Sequence, residues 1–154
     1  MIEGLFETHL HVKDLDASAR FYEGLLGLEP GLADPRGARF YWIGGHGKAM
    51  LGLWQKPAGQ IVRQHFAFRV SLDNMKHAAR YLKEKGLQPR NFQNTGEHPQ
   101  VFAWMPAVSL YFADPDGHSL EFIAMLPDAP RPELGNQVVD WAVWEEMHGR
   151  RLDA

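Results

Sequence analysis

Residues 109–125 read SLYFADPDGHSLEFIAM, two apolar, aromatic-rich segments on either side of Asp114-Pro115-Asp116-Gly117. Proline presets one turn torsion, and glycine accepts the positive φ that a tight reversal needs. The stretch therefore predicts an antiparallel hairpin. Alternation places Leu120, Phe122 and Ala124 on one face of its second strand, and Ser119, Glu121 and Ile123 on the other. A carboxylate at a strand centre is costly to bury alone, so Glu121 requires a cationic partner, either a metal ion or Arg69.

Upstream of the hairpin, residues 64–70 (QHFAFRV) alternate like a strand, with Phe66, Phe68 and Val70 on the apolar side. Asp73 is placed to cap a helix carrying Met75, Ala78, Ala79 and Leu82, which Gly86 closes. Asn91 to Gln100 reads as a polar loop and Val101 to Met105 as a strand. The N-terminal half repeats this order. In FETHLHV (6–12), Phe6, Thr8, Leu10 and Val12 alternate with Glu7, His9 and His11. Asp14 or Asp16 caps a helix with Ala17, Phe21 and Leu25 at helical spacing, Gly27 suits its left-handed end, and Pro30 blocks continuation. Strands are predicted at Arg39 to Ile43 and Lys48 to Trp54, around the turn Gly44-Gly45-His46-Gly47.

These are two tandem copies of one unit. Aligning Val12 with Val70 sets Glu7 against His65; aligning Gly47 with Gly117 sets Tyr41 against Tyr111 and Leu51 against Glu121. The fold class is α+β: a domain at 1–126 with modules at about 5–54 and 64–125, then an extension at 127–154. In that extension Val138, Trp141, Val143 and Trp144 form a partly helical apolar stripe, which docks on the core or covers a cavity or second subunit.

The 154 residues are 45% hydrophobic, enough for a proper single-domain core. A net charge of −3 gives no basic field for nucleic acid or an anionic membrane. The absence of cysteine removes disulfides, thiolate nucleophiles and thiolate metal sites. Without a signal-peptide pattern or membrane-length apolar run, the expected location is cytoplasmic.

The non-helix side of the repeats is expected to carry Glu7, His9, His11, His65, Ala67, Arg69, Tyr111 and Glu121 together with Leu51, Leu53 and Ile123. Such a mixture suits a semi-enclosed pocket whose few polar groups orient a ligand. Each residue also has a plain structural reading: a half-buried histidine at 65, a solvated Glu7, a core tyrosine with a satisfied hydroxyl at 111. His46, His98 and His118 read as exposed turn residues.

VKDLDASARFYEGLLGLEP (12–30), together with YFADPDGHSLEF (111–122), resembles the glyoxalase/bleomycin-resistance/dioxygenase family, the vicinal oxygen chelate superfamily. The resemblance implies two βαβββ modules forming an incomplete barrel around a cavity. It implies one divalent metal ion there (zinc, manganese, iron, nickel or cobalt), with Glu7, His65 and Glu121 as ligands. Leu51 falls where glyoxalase I has a fourth ligand, a glutamate, which counts against that activity. Tyr111 and His9 become candidate catalytic groups, and His11, Arg69 and Trp104 candidate substrate contacts. One imidazole and two carboxylates leave coordination positions open for water or a chelating substrate. The implied function is a small-molecule metalloenzyme (lyase, isomerase, thiol transferase or oxygenase), commonly homodimeric. The competing reading is a metal-free protein that sequesters an aromatic drug.

Overall fold

The computed structural model describes residues 1–152. The chain forms two compact units: Met1–Gln64 with Asp114–His118, and His65–Ala113 with the residues from Ser119 onward.

In the first unit the alternation at Glu7–Val12 forms strand β1, with Leu10 and Val12 buried and Glu7, His9 and His11 exposed. Helix α1 (Leu15–Ala19) starts at Asp14, whose carboxylate accepts from the Asp16 and Ala17 amides. A wider, π-helical turn continues it over Arg20–Leu25, burying Phe21 and Tyr22. Gly27, at φ +73°, ends the helix in the left-handed region foreseen for it. The sheet order is β1-β4-β3-β2, from β2 (Glu29–Asp34), β3 (Ala38–Ile43) and β4 (Ala49–Gln55). Strand β2 has no counterpart in the sequence reading. It is an exposed edge strand with a bulge between Pro30 and Leu32, which is where a sheet tolerates proline.

The two faces of this sheet differ. Thr8 and Leu10 lie beside Leu51 and Leu53, and Leu51 beside Tyr41. This is the helix-covered face, since Arg39, beside Leu53, reaches Asp16 of α1 at 2.6 Å. The opposite face carries Glu7, His9, His11, Phe40, Met50, Gly52 and Trp54. Leu51 and Leu53 are therefore core residues, fully buried, and do not share the histidine face as expected. Hairpin register alone pairs Tyr41 with Leu51 just as it pairs Tyr111 with Glu121.

The turn Asp114–His118 closes on itself in this unit. Asp114 Oδ1 accepts from the Asp116 and His118 amides, and Tyr22 donates to Oδ2 at 2.8 Å. Contrary to the sequence reading, His118 is fully buried. Its Nδ1 accepts from the Gln64 amide and its Nε2 donates to the His11 carbonyl, so the neutral ring is satisfied at both ends.

In the second unit β5 (His65–Arg69) leads into α2 (Leu72–Glu84), which buries Met75, Ala78 and Leu82. Its cap is Ser71, whose hydroxyl accepts from the Asn74 amide; Asp73 lies in the first turn instead of capping it. The sheet order is β5-β8-β7-β6-β9, from β6 (Gln100–Phe102), β7 (Ala107–Ala113), β8 (Ser119–Met125) and β9 (Val138–Asp140). The predicted strand at 101–105 shortens because residues 103–106 form a turn. The core joins Phe68, Leu110, Phe112, Leu120 and Phe122 to α2.

The apolar stripe of the extension is divided between a short strand and a helix. Val138 belongs to β9, which pairs antiparallel with β6, and α3 (Trp141–Met147) buries Trp141 and Trp144 while Val143 is exposed. Arg150 holds this end, donating to both oxygens of Asp128 and to Glu145. Among the described residues no helix is long and apolar enough to cross a membrane.

Candidate functional site

Strand pairing in the second unit sets four residues side by side on the face opposite α2. Ala67 lies beside Glu121, Glu121 beside Tyr111, and Tyr111 beside Arg90, through a single bridge. Two residues before Ala67, His65 projects to the same face. Its Nε2 lies 3.2 Å from Glu121 Oε2, and its ring centroid is 5.8 Å from that of Tyr111. The pair sits at a boundary, because the His65 side chain is 50% exposed and that of Glu121 only 6%.

The hydrogen bonding of His65 determines its tautomer. Nδ1 lies 2.9 Å from the Ser119 carbonyl oxygen, which can only accept, so Nδ1 carries the hydrogen. In the neutral ring Nε2 then presents a lone pair to a carboxylate oxygen that also offers lone pairs. Two acceptors at 3.2 Å need something positive between them, either a proton or a metal ion. Among the described residues, Glu121 Oε1 and the Ser109 hydroxyl are buried with no hydrogen-bond partner.

Burial pushes the Glu121 carboxyl above its ordinary range, against the pull of Tyr111, His65 and Ser109 nearby. The Tyr111 phenol is also pushed up, first by burial and then by the neighbouring Glu121 charge, so it stays protonated as a donor. Arg90 donates to Ser119 Oγ at 2.9 Å and stands 5.0 Å from the Tyr111 ring centroid. Phe92 flanks the same ring at 6.1 Å.

Of the sequence candidates, the second unit thus brings together His65, Glu121 and Tyr111. Arg69 is exposed beside Ile123 on that face, and it is His65, not Arg69, that faces Glu121. Trp104 is exposed in the turn after β6. The first unit groups Glu7 with His9 at 3.5 Å. His9 Nδ1 also accepts from Trp54 Nε1 at 2.8 Å, and its ring stacks on Trp54 at 6.1 Å and 16°. His11 is exposed on the same strand. Gly52 makes this packing possible, since a Cβ there would meet Phe40 at 3.0 Å and the His9 ring at 3.2 Å.

Sequence reasoning placed Ser119 on the Glu121 face without giving it a role, and missed Arg90, Phe92 and Ser109. Ser109 could have been found from the alternation that places it on the face of Tyr111. Arg90 and Phe92 lie in a segment without periodicity, and nothing local signals their direction.

The pair His65–Glu121 has suitable donors for a divalent ion: a nitrogen held in the metal-binding tautomer and a carboxylate with a spare buried oxygen. Among the described residues no three histidine, aspartate or glutamate side chains are gathered so as to hold a metal ion.

The sequence profile of the Glyoxalase/Bleomycin resistance protein/Dioxygenase superfamily matches residues 4–122. The chain belongs to this superfamily. An integron cassette protein from the mobile metagenome of a Halifax Harbour sewage outfall is 40% identical to this superfamily member, with TM-score 0.70 over 80% of this chain and 100% of that one. The oxidase ChaP-H2 is 27% identical, with TM-score 0.64 over 84% and 98%. A lactoylglutathione lyase from Agrobacterium tumefaciens, 24% identical, shares the glyoxalase fold at TM-score 0.61 over 80% and 94%.

Proposed function

We propose that the protein is a metal-dependent enzyme acting on a small oxygen-chelating substrate, with His65 and Glu121 as metal ligands. The observation that carries this reading is the imidazole nitrogen and carboxylate oxygen facing each other at 3.2 Å, with Nδ1 committed to Ser119. A divalent ion at that point would supply Lewis-acid stabilisation to vicinal oxygens of the substrate. The remaining chemistry belongs to the chain. The Ser119 carbonyl keeps His65 in one tautomer, and Glu121 turns a buried carboxylate toward the free ring nitrogen. Tyr111 stays protonated and donates a hydrogen bond to a substrate oxygen. Glu7 is taken as a third ligand on the sequence resemblance alone, and a homodimer is expected on the same ground.

The test is elemental analysis of protein purified without added metal, beside the double variant His65→Ala, Glu121→Gln. Near-stoichiometric metal in the parent, lost in the variant, supports the enzyme. Glu7→Gln should lower the retained metal if that residue is a ligand.

A second reading, sequestration of a planar aromatic compound without metal, is favoured by the stacked His9 and Trp54 rings and the edge-on Phe40 of the first unit. Absence of metal from both proteins, with aromatic binding by the parent, would support it instead.

A further inference from the structure

Arg90 is half-buried on the site face of the second unit, and among the described residues no acidic side chain lies within ion-pair distance of it. Ser119 Oγ engages Nη2 at 2.9 Å, and the guanidinium carbon stands 5.0 Å from the Tyr111 ring centroid. That leaves most of a planar donor fork, anchored at one corner and backed by an aromatic ring, uncommitted. Such a fork matches a carboxylate, which it can bind through parallel hydrogen bonds, better than it matches a neutral oxygen. The surroundings suit the body of such a ligand. Phe92 is 52% exposed and borders Tyr111, while Ala67, at the other end of the row, adds only a methyl group beside Glu121. The Arg90 backbone lies one strand beyond Tyr111 from Glu121, but its side chain reaches back over the Tyr111 ring to Ser119, the strand neighbour of His65. The free donors of the fork therefore stand close to the His65–Glu121 pair, and a small ligand can reach both.

We propose that Arg90 recognises a carboxylate of the substrate, so that the site takes a small carboxylic acid with an apolar or aromatic body, its anion at Arg90 and its other oxygens toward His65 and Glu121. This deepens the reading above and rests on it for the location of the chemistry, but anion recognition itself needs no metal.

The test uses benzoate and its neutral counterpart benzamide, titrated into metal-free and manganese-loaded protein. Binding is followed by NMR shifts of the Arg90 side chain and the Tyr111 and Phe92 rings. In metal-free parent, benzoate should bind about tenfold more tightly than benzamide. Arg90→Gln should bring that ratio close to one, and Arg90→Lys, which keeps the charge but not the fork, should fall between. Equal binding of the two probes by the parent, or a preference that Arg90→Gln retains, overturns the assignment. A preference confined to manganese-loaded protein assigns the anion to the metal and also overturns it. Failure of the metal reading leaves the metal-free measurement intact, so the two failures are distinguishable.

Discussion

Glu121 is a buried acid whose neutral form the fold favours, and this has a consequence for stability. A carboxyl raised above its unfolded value gives stability that is fully present below the unfolded pKa and lost as pH rises through the folded one. In metal-free protein, stability should therefore fall as pH climbs from the ordinary glutamate range toward neutral. Glu121→Gln should flatten that fall and gain about 1 kcal/mol at neutral pH, because its amide can donate to His65 Nε2 without burying a charge. Urea midpoints measured against pH for both proteins check this. A variant less stable than the metal-free parent at neutral pH would mean that the charge is better compensated than the geometry indicates. The value of this residue was readable from its neighbours in sequence: an acid among strand apolars signals a partner. Which partner was not readable, because His65 and Arg69 lie on the same face of β5 and differ only in how far along it they sit.

At the level of the element, the start of α2 separates two residues that look equivalent in sequence. Ser71 caps and Asp73 does not. Ser71→Ala should cost about 1 kcal/mol, whereas Asp73→Ala should cost only a few tenths, the worth of an exposed charge near the helix N-terminus. Chemical denaturation of the two variants gives the comparison. On β4, Gly52 sits where the His9 and Phe40 rings close over the backbone. Gly52→Ala should destabilise by about 1–3 kcal/mol, because rigid rings flank the new methyl group. The His9 ring resonances should shift with it. Strong alternation and the Gly27 and Gly86 helix ends made most elements legible. Strand β2 was not, because Pro30 argues against a central strand and only pairing to β3 reveals an edge. Strand β9 was hidden inside an apolar stripe that also fits a helix, until pairing with β6 divided it.

For the whole molecule, the tandem repeat and the two quoted motifs carried the family. The extension carried no comparable signal; β9 docks it on β6, and Arg150 ties its two ends together through Asp128 and Glu145. The Arg150 guanidinium holds the Asp128 carboxyl down at about 2. A depressed carboxyl gives stability that is present above its unfolded pKa and lost as pH falls through the folded one. Acid should therefore weaken the protein between about pH 4 and pH 2 as Asp128 is protonated. Arg150→Ala should remove most of that acid-dependent loss and lower stability at neutral pH modestly, because solvent screens the exposed guanidinium. Thermal melts across that pH range, with Trp144 fluorescence reporting on the C-terminal helix, are the measurement.

The opposed faces of the Tyr41–Leu51 and Tyr111–Glu121 pairs set a rule for anyone re-engineering the scaffold. Copying the acid of the C-terminal half onto its hairpin equivalent, by Leu51→Glu, would drive a charge under the helix and cost several kcal/mol. Moved back by one residue, as Met50→Glu, the same graft would emerge beside Glu7 and the histidines and leave the interior dry. Twin halves of this kind are interchangeable by turn but not by surface.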